Sequence, residues 1–259
     1  KIILNFFSLY KRKFLYEIKK KINIDYDTNL KLEKLEDFFI QYGTDKASHL
    51  ITDKNNKQSS SSKAHGYSEF YEKHLSHYKN KSINILEIGS YAGASAAAFA
   101  KYFSNSKIFC LDVNISNFKF SSRRIKVYGI DITNKKMLNN FFNNIGISEN
   151  EKFFDVIIDD GSHKLSDILL SFKYLFKNLR NQGYYIIEDF KFPNFFDHLN
   201  DIDHIKVDEV IKNFMNKNFF DSTIISKDQQ QFLHTINKTI YTYKGNLEYS
   251  DIAFIKKDV

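Results

Sequence analysis

The sequence predicts an α/β fold, in which a doubly wound and mostly parallel sheet of seven strands follows a helical region at the amino end. From Ser82 onward, short apolar runs alternate with stretches of helical pattern, which is the order of βαβ units in a parallel sheet. Residues Lys238 to Lys257 contain two strand patterns around Gly245, typical of an antiparallel hairpin that closes a sheet edge. We therefore expect a helical region over residues 1–80 and a sheet domain over residues 81–259.

Five apolar runs are the strand candidates of the parallel part of the sheet. In chain order they are INILEIG, KIFCLDV, IKVYGID, FDVIIDD and GYYIIED. Each is followed by helix-like or loop sequence, as in a Rossmann-like sheet with helices on both faces. The two strands of the terminal hairpin bring the expected total to seven.

The helical region is predicted to contain two helices, a lid loop and a third helical pattern in YSEFYEKHLSHYK. Residues 1–23 have apolar side chains at helical spacing with lysines between them, the pattern of a basic amphipathic helix. Such a helix packs against the body of the protein or a sister subunit, or it binds an anionic membrane surface as a peripheral contact. A second helix is expected from Leu30 to Tyr42. The serine- and lysine-rich segment from Thr52 to Gly66 is expected to be a flexible lid loop.

Composition narrows the functional classes. The net charge of +7 is concentrated near the start of the chain and otherwise mixed with acidic residues, so we expect no nucleic-acid partner. The single cysteine, Cys110, excludes an internal disulfide and favours a reducing compartment. No apolar run reaches the roughly 18 residues of a membrane span. We expect a cytoplasmic protein that forms a homo-oligomer.

The turn after the first strand candidate has the features of a nucleotide-type cofactor site. In LEIGSYAGASAAAFAKYF, Gly89 and Gly93 permit a tight turn and a close approach of the backbone to a ligand. Asp112 ends the second strand, where a carboxylate holds ribose hydroxyls, and Asp131 ends the third at the height of an adenine edge. The alternative for each carboxylate is that it caps a loop.

The identity of that cofactor follows from two departures from the dinucleotide pattern. Tyr91 occupies the position where a dinucleotide site has its second glycine. Glu87, two residues before Gly89, suits the positively charged amino acid end of a ligand better than a pyrophosphate. The sequence therefore favours S-adenosylmethionine. The candidate cofactor-binding residues are Glu87, Gly89, Ser90, Gly93, Asp112, Asp131 and Asp159.

Acidic residues and a histidine follow the fourth and fifth strand candidates. If these strands are neighbours, Asp159, Asp160 and His163 converge with Glu188 and Asp189 at one edge of the sheet. So many carboxylates repel one another unless a cation or hydrogen-bond donors compensate, and oxygen ligands at two strand ends suit Mg²⁺ or a similar divalent ion. We expect Asp160 and Asp189 to bind the metal, with Glu188 as a third contact.

The chemistry of methyl transfer to a hydroxyl gives this site a purpose. A hydroxyl is a poor nucleophile at neutral pH, and a divalent ion that binds it lowers its pKa and fixes its angle. An imidazole titrates close to neutral pH and is suited to accept the proton. His163 is the candidate base, and Asp160 is the catalytic carboxylate beside it. The alternative is that His163 only caps the next helix.

With these residues in place, the chain resembles class I S-adenosylmethionine-dependent methyltransferases, and among them the metal-dependent O-methyltransferases of sugars. The matching segments are YGTDK, HGY, INILEIGSYAGAS, IDDGSH and LFKNLRNQGYYIIEDF, in family order. The resemblance implies a sugar or other glycan acceptor and the same roles for Asp160, His163, Glu188 and Asp189. It also implies acceptor and lid residues at Tyr42, Thr44, Asp45, Lys46, His65 and Tyr67. Here the lid insertion separates YGTDK from HGY.

Three functions follow as expectations. The first is Mg²⁺-dependent methylation of a sugar hydroxyl in a nucleotide sugar, a surface polysaccharide precursor or a glycosylated natural product. The second is methylation of another small oxygen nucleophile, a phenol or a phosphate-type oxygen. The third is a cofactor-binding partner subunit without catalysis, which the intact acidic set argues against. FKFPNFFDHL, just past Asp189, is expected to form an acceptor wall or to pack in the core.

Overall fold

A computed structural model describes residues 2–26, 32–51, 61–201, 205–236 and 238–258. The chain forms two compact units. The first consists of Lys1–Ile130 with Gly245–Glu248, and the second of Asp131–Lys244 with Tyr249–Val259. This division lies at residue 130, whereas the sequence places a boundary at residue 80, and that domain boundary stays a prediction.

The first unit is built on three parallel strands. They are β1 Asn84–Ile88, β2 Lys107–Asp112 and β3 Ile125–Gly129. Strand β2 lies between the other two, and both pairings are parallel. The helices of this unit are α1 Ile2–Ile18, α2 Leu35–Tyr42, α3 Ser68–Leu75 and α4 Ala94–Tyr102. Short 3-10 turns occupy Ile24–Tyr26, Ser76–Tyr78 and Ile115–Asn117.

Aromatic side chains join the helices of the first unit. Phe39 of α2, Tyr71 of α3 and Phe99 of α4 are fully buried. The Phe39 and Tyr71 rings each lie 5.4 Å from the Phe99 ring, measured between centroids. Burial of large rings is a major source of hydrophobic stabilisation, so these contacts fix α2 and α3 on the helix that follows β1.

The second unit contains the other four strands. They are β4 Phe154–Asp159, β5 Leu179–Glu188, β6 Lys238–Lys244 and β7 Asp251–Lys257. Strands β4 and β5 are parallel neighbours, whereas β7 pairs antiparallel with both β5 and β6. The helices are α5 Lys135–Ile145, α6 Leu165–Leu175, α7 Phe192–Phe195, α8 Val207–Asn216 and α9 Lys227–Thr235. Further 3-10 turns occupy Phe176–Asn178 and Asp197–Leu199.

The predicted fold class is confirmed. The first unit has three parallel strands and the second has four strands of mixed direction, with helices in both, and each of the five apolar runs forms a strand. The terminal hairpin is antiparallel as predicted, although its connection spans 245–250 and is longer than a tight turn at Gly245.

The amino-terminal predictions are met in part. The first helix is present as α1, and the second begins at Leu35, five positions later than predicted. Of the predicted lid loop, residues 52–60 lie outside the described part of the chain. Residues Ser61–Lys63 form a short antiparallel pair with His49–Ile51, so the end of that segment is regular. Within the described residues, no helix is both long and apolar enough to cross a membrane.

Gln182 occupies a position where glycine would be more comfortable. Its φ is +64°, in the left-handed region that costs a residue with a Cβ atom about 1 kcal/mol or more. The residue precedes Gly183, in the part of β5 where the pairing register with β4 is irregular. Glutamine at this position therefore has a small local conformational cost.

Candidate active site

The β1–α4 turn has the backbone geometry that the cofactor prediction requires. Gly89 has a φ of +81° and Gly93 a φ of +77°, and Gly93 is the N-cap of α4. The Gly89 N–H donates to the Leu111 carbonyl at 2.8 Å, which ties the turn to β2. A Cβ atom at Gly93 would lie 2.4 Å from Cζ of Phe118. Glycine is therefore required at 93 by packing as well as by conformation.

Asp112 holds this turn through both oxygens of its carboxylate. The Tyr91 N–H donates to Oδ2 at 2.7 Å, and the Asn114 N–H donates to Oδ1 at 2.6 Å. The loop-capping interpretation of Asp112 is thus observed. A carboxylate oxygen accepts more than one hydrogen bond, so these contacts leave capacity for ribose hydroxyls, and the cofactor contact stays a prediction.

Glu87 and Ser90 lie in the interior of the first unit. Glu87 is fully buried, and Ser95 in the first turn of α4 donates to its Oε1 at 2.5 Å. This contact links the end of β1 to the helix that follows the turn. Burial, reinforced by the negative charge of Glu87, raises the pKa of the Cys110 thiol well above its usual range, and a hydrogen bond with Ser90 opposes the shift. Cys110 is therefore a neutral, unreactive thiol.

The other two predicted cofactor carboxylates belong to the second unit. Oδ1 of Asp131 accepts from the N–H and the hydroxyl of Thr133, at 2.9 and 2.7 Å, and so shapes the turn before α5. Asp159 is buried and accepts from the Ser171 hydroxyl and, at 3.5 Å, from Tyr185. Burial raises the pKa of Asp159 to about 7. These contacts indicate a structural role for Asp159, and its predicted cofactor contact has no support among them.

Three of the predicted catalytic and metal residues come together in the second unit. Each of Asp160, His163 and Asp189 offers one ligand atom, and these atoms all lie within 4.8 Å of one another. Asp160 follows β4 and Asp189 follows β5, and the strands are parallel neighbours with Asp159 in register with Ile187. The prediction that these strands are adjacent is confirmed, which explains why residues far apart in the sequence meet.

The donor set of this cluster fits a divalent ion. Two carboxylates and an imidazole offer hard oxygen ligands and one nitrogen, compatible with Mg²⁺ or Mn²⁺. His163 Nε2 lies 3.8 Å from Asp160 Oδ1, so the imidazole also has a carboxylate beside it. Asp160 and His163 are half-buried and Asp189 is buried, which places the cluster at a partly accessible edge of the unit.

Two members of the cluster have left-handed backbone conformations. The φ angles are +57° for His163 and +51° for Asp189. Such conformations cost of order 1–3 kcal/mol for residues other than glycine, and they are concentrated at functional sites. The strain is consistent with a site in which the positions of both side chains matter more than local stability.

Glu188 is not part of this cluster. It is the last residue of β5, is buried, and stands in register with Ile252 of β7. Glu188 still lies within the strand whereas Asp189 follows it with a left-handed backbone, so residues 188 and 189 are not equivalent donors. Metal binding by Glu188 stays a prediction. Ser162 accepts from the Lys164 N–H and donates to Asp167 in the first turn of α6.

The two predicted lid motifs lie side by side in the first unit. The His65 N–H donates to the Asp45 carbonyl and the Tyr67 N–H donates to the Lys46 carbonyl, both at 2.8 Å. The two segments on either side of the insertion are therefore paired through their backbones. Thr44, Lys46 and Tyr67 are buried, whereas Asp45 is exposed and His65 and Tyr42 are half-buried. Contact of these six residues with an acceptor stays a prediction.

Several residues of these sites carried no recognisable sequence signal. Ser95, Ser171 and Tyr185 supply hydrogen bonds to Glu87 and Asp159, yet each lies within a helix or strand pattern that predicts only packing. Phe118, whose ring faces Gly93, is likewise an ordinary apolar residue in the sequence. Their roles depend on which elements pack together, and periodicity does not supply that information.

Comparison with curated proteins shows similarity to sugar O-methyltransferases. L-olivosyl-oleandolide 3-O-methyltransferase of Streptomyces antibioticus is 33% identical over 132 residues, which is 48% of this chain and 32% of the relative. Mycinamicin VI 2''-O-methyltransferase of Micromonospora griseorubida is 29% identical over 132 residues, 48% of this chain and 31% of the relative. The chain thus spans about a third of the length of these relatives. No family model matches it.

Comparison with solved structures identifies the fold. The MycE methyltransferase of the mycinamycin pathway, solved in complex with Mg, SAH and mycinamycin VI, superposes with a TM-score of 0.64 at 19% identity. The match covers 88% of this chain and 55% of that one. The chain therefore has the class I methyltransferase fold and resembles, over about half of its length, the O-methyltransferases of macrolide sugars.

Proposed function

We propose that this chain carries out S-adenosylmethionine-dependent O-methylation of a sugar hydroxyl with the help of a divalent ion such as Mg²⁺. The observation that carries the proposal is the grouping of Asp160, His163 and Asp189 within 4.8 Å. Similarity to sugar O-methyltransferases supports the acceptor class and the reaction. The cofactor assignment is supported by the SAH bound in the similar MycE structure and by the glycine turn after β1.

The roles of the residues follow from the chemistry of the reaction. The acceptor oxygen forms a bond to the methyl carbon while the bond from that carbon to the sulfonium sulfur breaks, and the hydroxyl proton must leave. His163 accepts that proton at its imidazole, with Asp160 beside it to stabilise the imidazolium. Asp160 and Asp189 would hold a divalent ion, which would supply positive charge at the acceptor oxygens. Glu188 is kept as a third proposed metal contact.

The residues proposed to bind the cofactor lie in the first unit, apart from Asp131. We propose that Gly89, Ser90 and Gly93 surround the cofactor, with Glu87 toward its amino acid end and Asp112 toward its ribose. The positive φ angles of both glycines and the helix amino end at Gly93 support this arrangement. Asp131 is retained as a proposed adenine contact. Tyr42, Thr44, Asp45, Lys46, His65 and Tyr67 are retained as proposed acceptor and lid residues.

We propose a sugar as the acceptor, and three kinds of molecule could carry it. A nucleotide sugar, a polysaccharide precursor and a glycosylated natural product all present such a hydroxyl, and the named relatives act on the last kind. Methylation of a phenol or phosphate-type oxygen is the second candidate because the same cluster would serve it. The partner-subunit function is disfavoured, since a retired site has no physical reason to keep mutually repelling carboxylates.

A screen of acceptors tests this proposal. The protein is incubated with S-adenosylmethionine, Mg²⁺ and a panel of nucleotide sugars, glycosides, glycans and phenols, and products are read by mass. We expect a sugar product heavier by one methylene group and dependent on the protein. Methylation confined to phenols would replace the sugar assignment, and cofactor binding without any product would favour the partner-subunit function.

Helix α1 supports a proposal about location. On one side, Arg12 and Lys19 donate to backbone carbonyls of Val113 and Ser116, at 2.9 and 3.0 Å. On the other side, Phe14 and Ile18 are 60% and 64% exposed between lysines. We propose that this outward face makes a peripheral contact with an anionic membrane, or that it joins copies of the chain in a homo-oligomer. We also propose a cytoplasmic location, which the single buried cysteine supports.

A further inference from the structure

We propose that Phe192, Phe196 and Tyr249 form an aromatic platform beside His163 that binds the apolar face of an uncharged sugar ring. The inference rests on the proposed function and deepens it, because it assigns a binding surface to the acceptor. The part of the acceptor that is bound there is uncharged.

The platform is continuous with the imidazole of the proposed base. The Phe192 ring lies 4.6 Å from the His163 ring, measured between centroids. Phe192 in turn lies 5.4 Å from Phe196 and 5.3 Å from Tyr249, and the last two rings are 6.1 Å apart. Three rings in mutual contact therefore extend away from the cluster of Asp160, His163 and Asp189.

The backbone fixes the platform relative to the proposed metal site. The Phe192 N–H donates to the Asp189 carbonyl at 2.9 Å, and the Phe196 N–H donates to the Phe192 carbonyl at 2.9 Å. Pro193 in the first turn of α7 restricts the conformation of the segment. A ligand on the platform would accordingly lie at a defined distance from Asp189 and His163.

The exposure of the platform distinguishes it from the aromatic core of the same unit. Phe172 and Phe214, which pack between α6 and α8, are each only 3% exposed. Phe196 is 37% exposed, and Phe192 and Tyr249 are half-buried. Core packing alone does not account for rings left partly in water next to a polar cluster. Exposed aromatic rings of this kind are enriched at binding sites.

The charges around the platform favour a neutral ligand. Lys191 lies 3.0 Å from Asp251 Oδ1, and Lys244 lies 3.1 Å from Asp251 Oδ2. Lys191 and Lys244 are therefore both engaged with a buried carboxylate. A phosphate would have to compete with Asp251 for them, whereas an uncharged pyranose ring needs no counter-charge.

The shape of a sugar matches this combination of surfaces. A pyranose ring presents C–H groups on a face and hydroxyl groups around its rim. C–H groups pack on the electron-rich faces of aromatic rings, and hydroxyls are suited to the carboxylates and imidazole next to them. One ring can thus contact the platform with its face while its rim reaches His163.

Ligand-detected NMR tests the platform without requiring turnover. The probe is methyl α-L-rhamnopyranoside, titrated against the intact protein with Mg²⁺ in saturation-transfer experiments. We expect transfer mainly to the C–H groups of one ring face, and an affinity about tenfold lower in Phe196→Ala. Phe232→Ala is the matched control, because Phe232 is an exposed ring on α9 of the same unit, and it should bind the probe as the wild type does.

The outcomes separate the platform from the proposed function. Probe binding that is equal in Phe196→Ala and the wild type would overturn the platform, as would no binding of the probe by a folded wild-type protein. Once the acceptor screen has supplied a substrate, Phe196→Ala should raise its KM about tenfold with little change in kcat. A wild-type KM would contradict the platform while methyl transfer still stood. Absence of methyl transfer with intact probe binding would contradict the proposed function alone.

Discussion

At the scale of single residues, the proposed chemistry depends on Asp160, His163 and Asp189. Asp160 and Asp189 are brought together by adjacent parallel strands, and His163 reaches the same point through a left-handed turn. His163 is close enough to Asp160 for the imidazole to act either as a proton acceptor or as a third ligand. These two roles lead to different results in the same variant.

Replacement of His163 by alanine separates the two roles. As a base, His163 contributes about 10²- to 10⁴-fold to kcat, so His163→Ala should lower kcat by that factor while the affinity for Mn²⁺, measured by electron paramagnetic resonance, stays unchanged. Binding of S-adenosylmethionine should also be retained, as judged by calorimetry. A weakened Mn²⁺ affinity would make His163 a ligand, and an unchanged kcat would exclude it as the base.

Three carboxylate variants test the composition of the metal site. Asp160→Asn and Asp189→Asn each remove a charged ligand and should weaken Mn²⁺ binding at least about tenfold. Glu188→Gln is the informative comparison, since Glu188 lies outside the observed cluster although the sequence predicts that it binds the metal. An equal loss in all three variants would add Glu188 to the ligand set. An unchanged Mn²⁺ affinity in Asp160→Asn would show that Asp160 is not a metal ligand.

At the scale of elements, the β1–α4 turn depends on glycine for two separable reasons. Gly93 and Gly146 have almost the same φ, +77° and +76°. Of the two, only Gly93 has a neighbouring side chain, that of Phe118, in the space that a Cβ atom would occupy. Gly146→Ala should cost about 1 kcal/mol in the free energy of unfolding from conformation alone. Gly93→Ala should cost about 1–3 kcal/mol more from the clash with Phe118. Urea unfolding without cofactor measures both, and equal losses would contradict the packing argument.

Helix α3 gives the first unit a pH-dependent stability. Burial, helped by the charges of Lys73 and His77, lowers the pKa of His74 from 6.5 to about 4. Between these values the unfolded chain binds a proton that the folded chain does not. The free energy of unfolding should therefore fall as the pH drops from about 6.5 to about 4, by at most about 1.4 kcal/mol per pH unit.

Glutamine at position 74 tests this dependence. His74→Gln should flatten the fall in urea-unfolding stability between pH 6.5 and pH 4.5. His77→Gln, at an exposed position of the same segment, should retain most of it, because burial is the largest cause of the lowered His74 pKa. If both variants keep the wild-type slope, His74 is not its source.

The same elements show how far the sequence predicts the structure. The strand candidates and their polar ends are readable because buried strands appear as apolar runs, and the carboxyl ends of parallel strands share an edge. The left-handed turns at His163 and Asp189 are not readable, because nothing in their side chains requires a positive φ. The pairing of Asp45 with His65 is equally hidden, since the insertion between them removes any local signal.

At the scale of the whole molecule, the described chain consists of two units with different parts of the proposed chemistry. The first contains the glycine turn and the paired lid motifs, and the second contains the acidic cluster and the aromatic platform. Sequence similarity to sugar O-methyltransferases extends over 48% of the chain. The structural similarity to MycE extends over 88% of it. We propose that the residues of both units serve one metal-dependent methyl transfer.

The rate of methyl transfer as a function of Mg²⁺ concentration is the sharpest test of this metal dependence. It is measured with S-adenosylmethionine and the acceptor found in the screen, in wild type and Asp160→Asn, beginning from protein stripped with a chelator. We predict no turnover in excess chelator, full recovery on addition of Mg²⁺ to the wild type, and recovery in Asp160→Asn only at a much higher concentration. Full activity of the wild type in excess chelator would contradict the proposed metal dependence of the reaction.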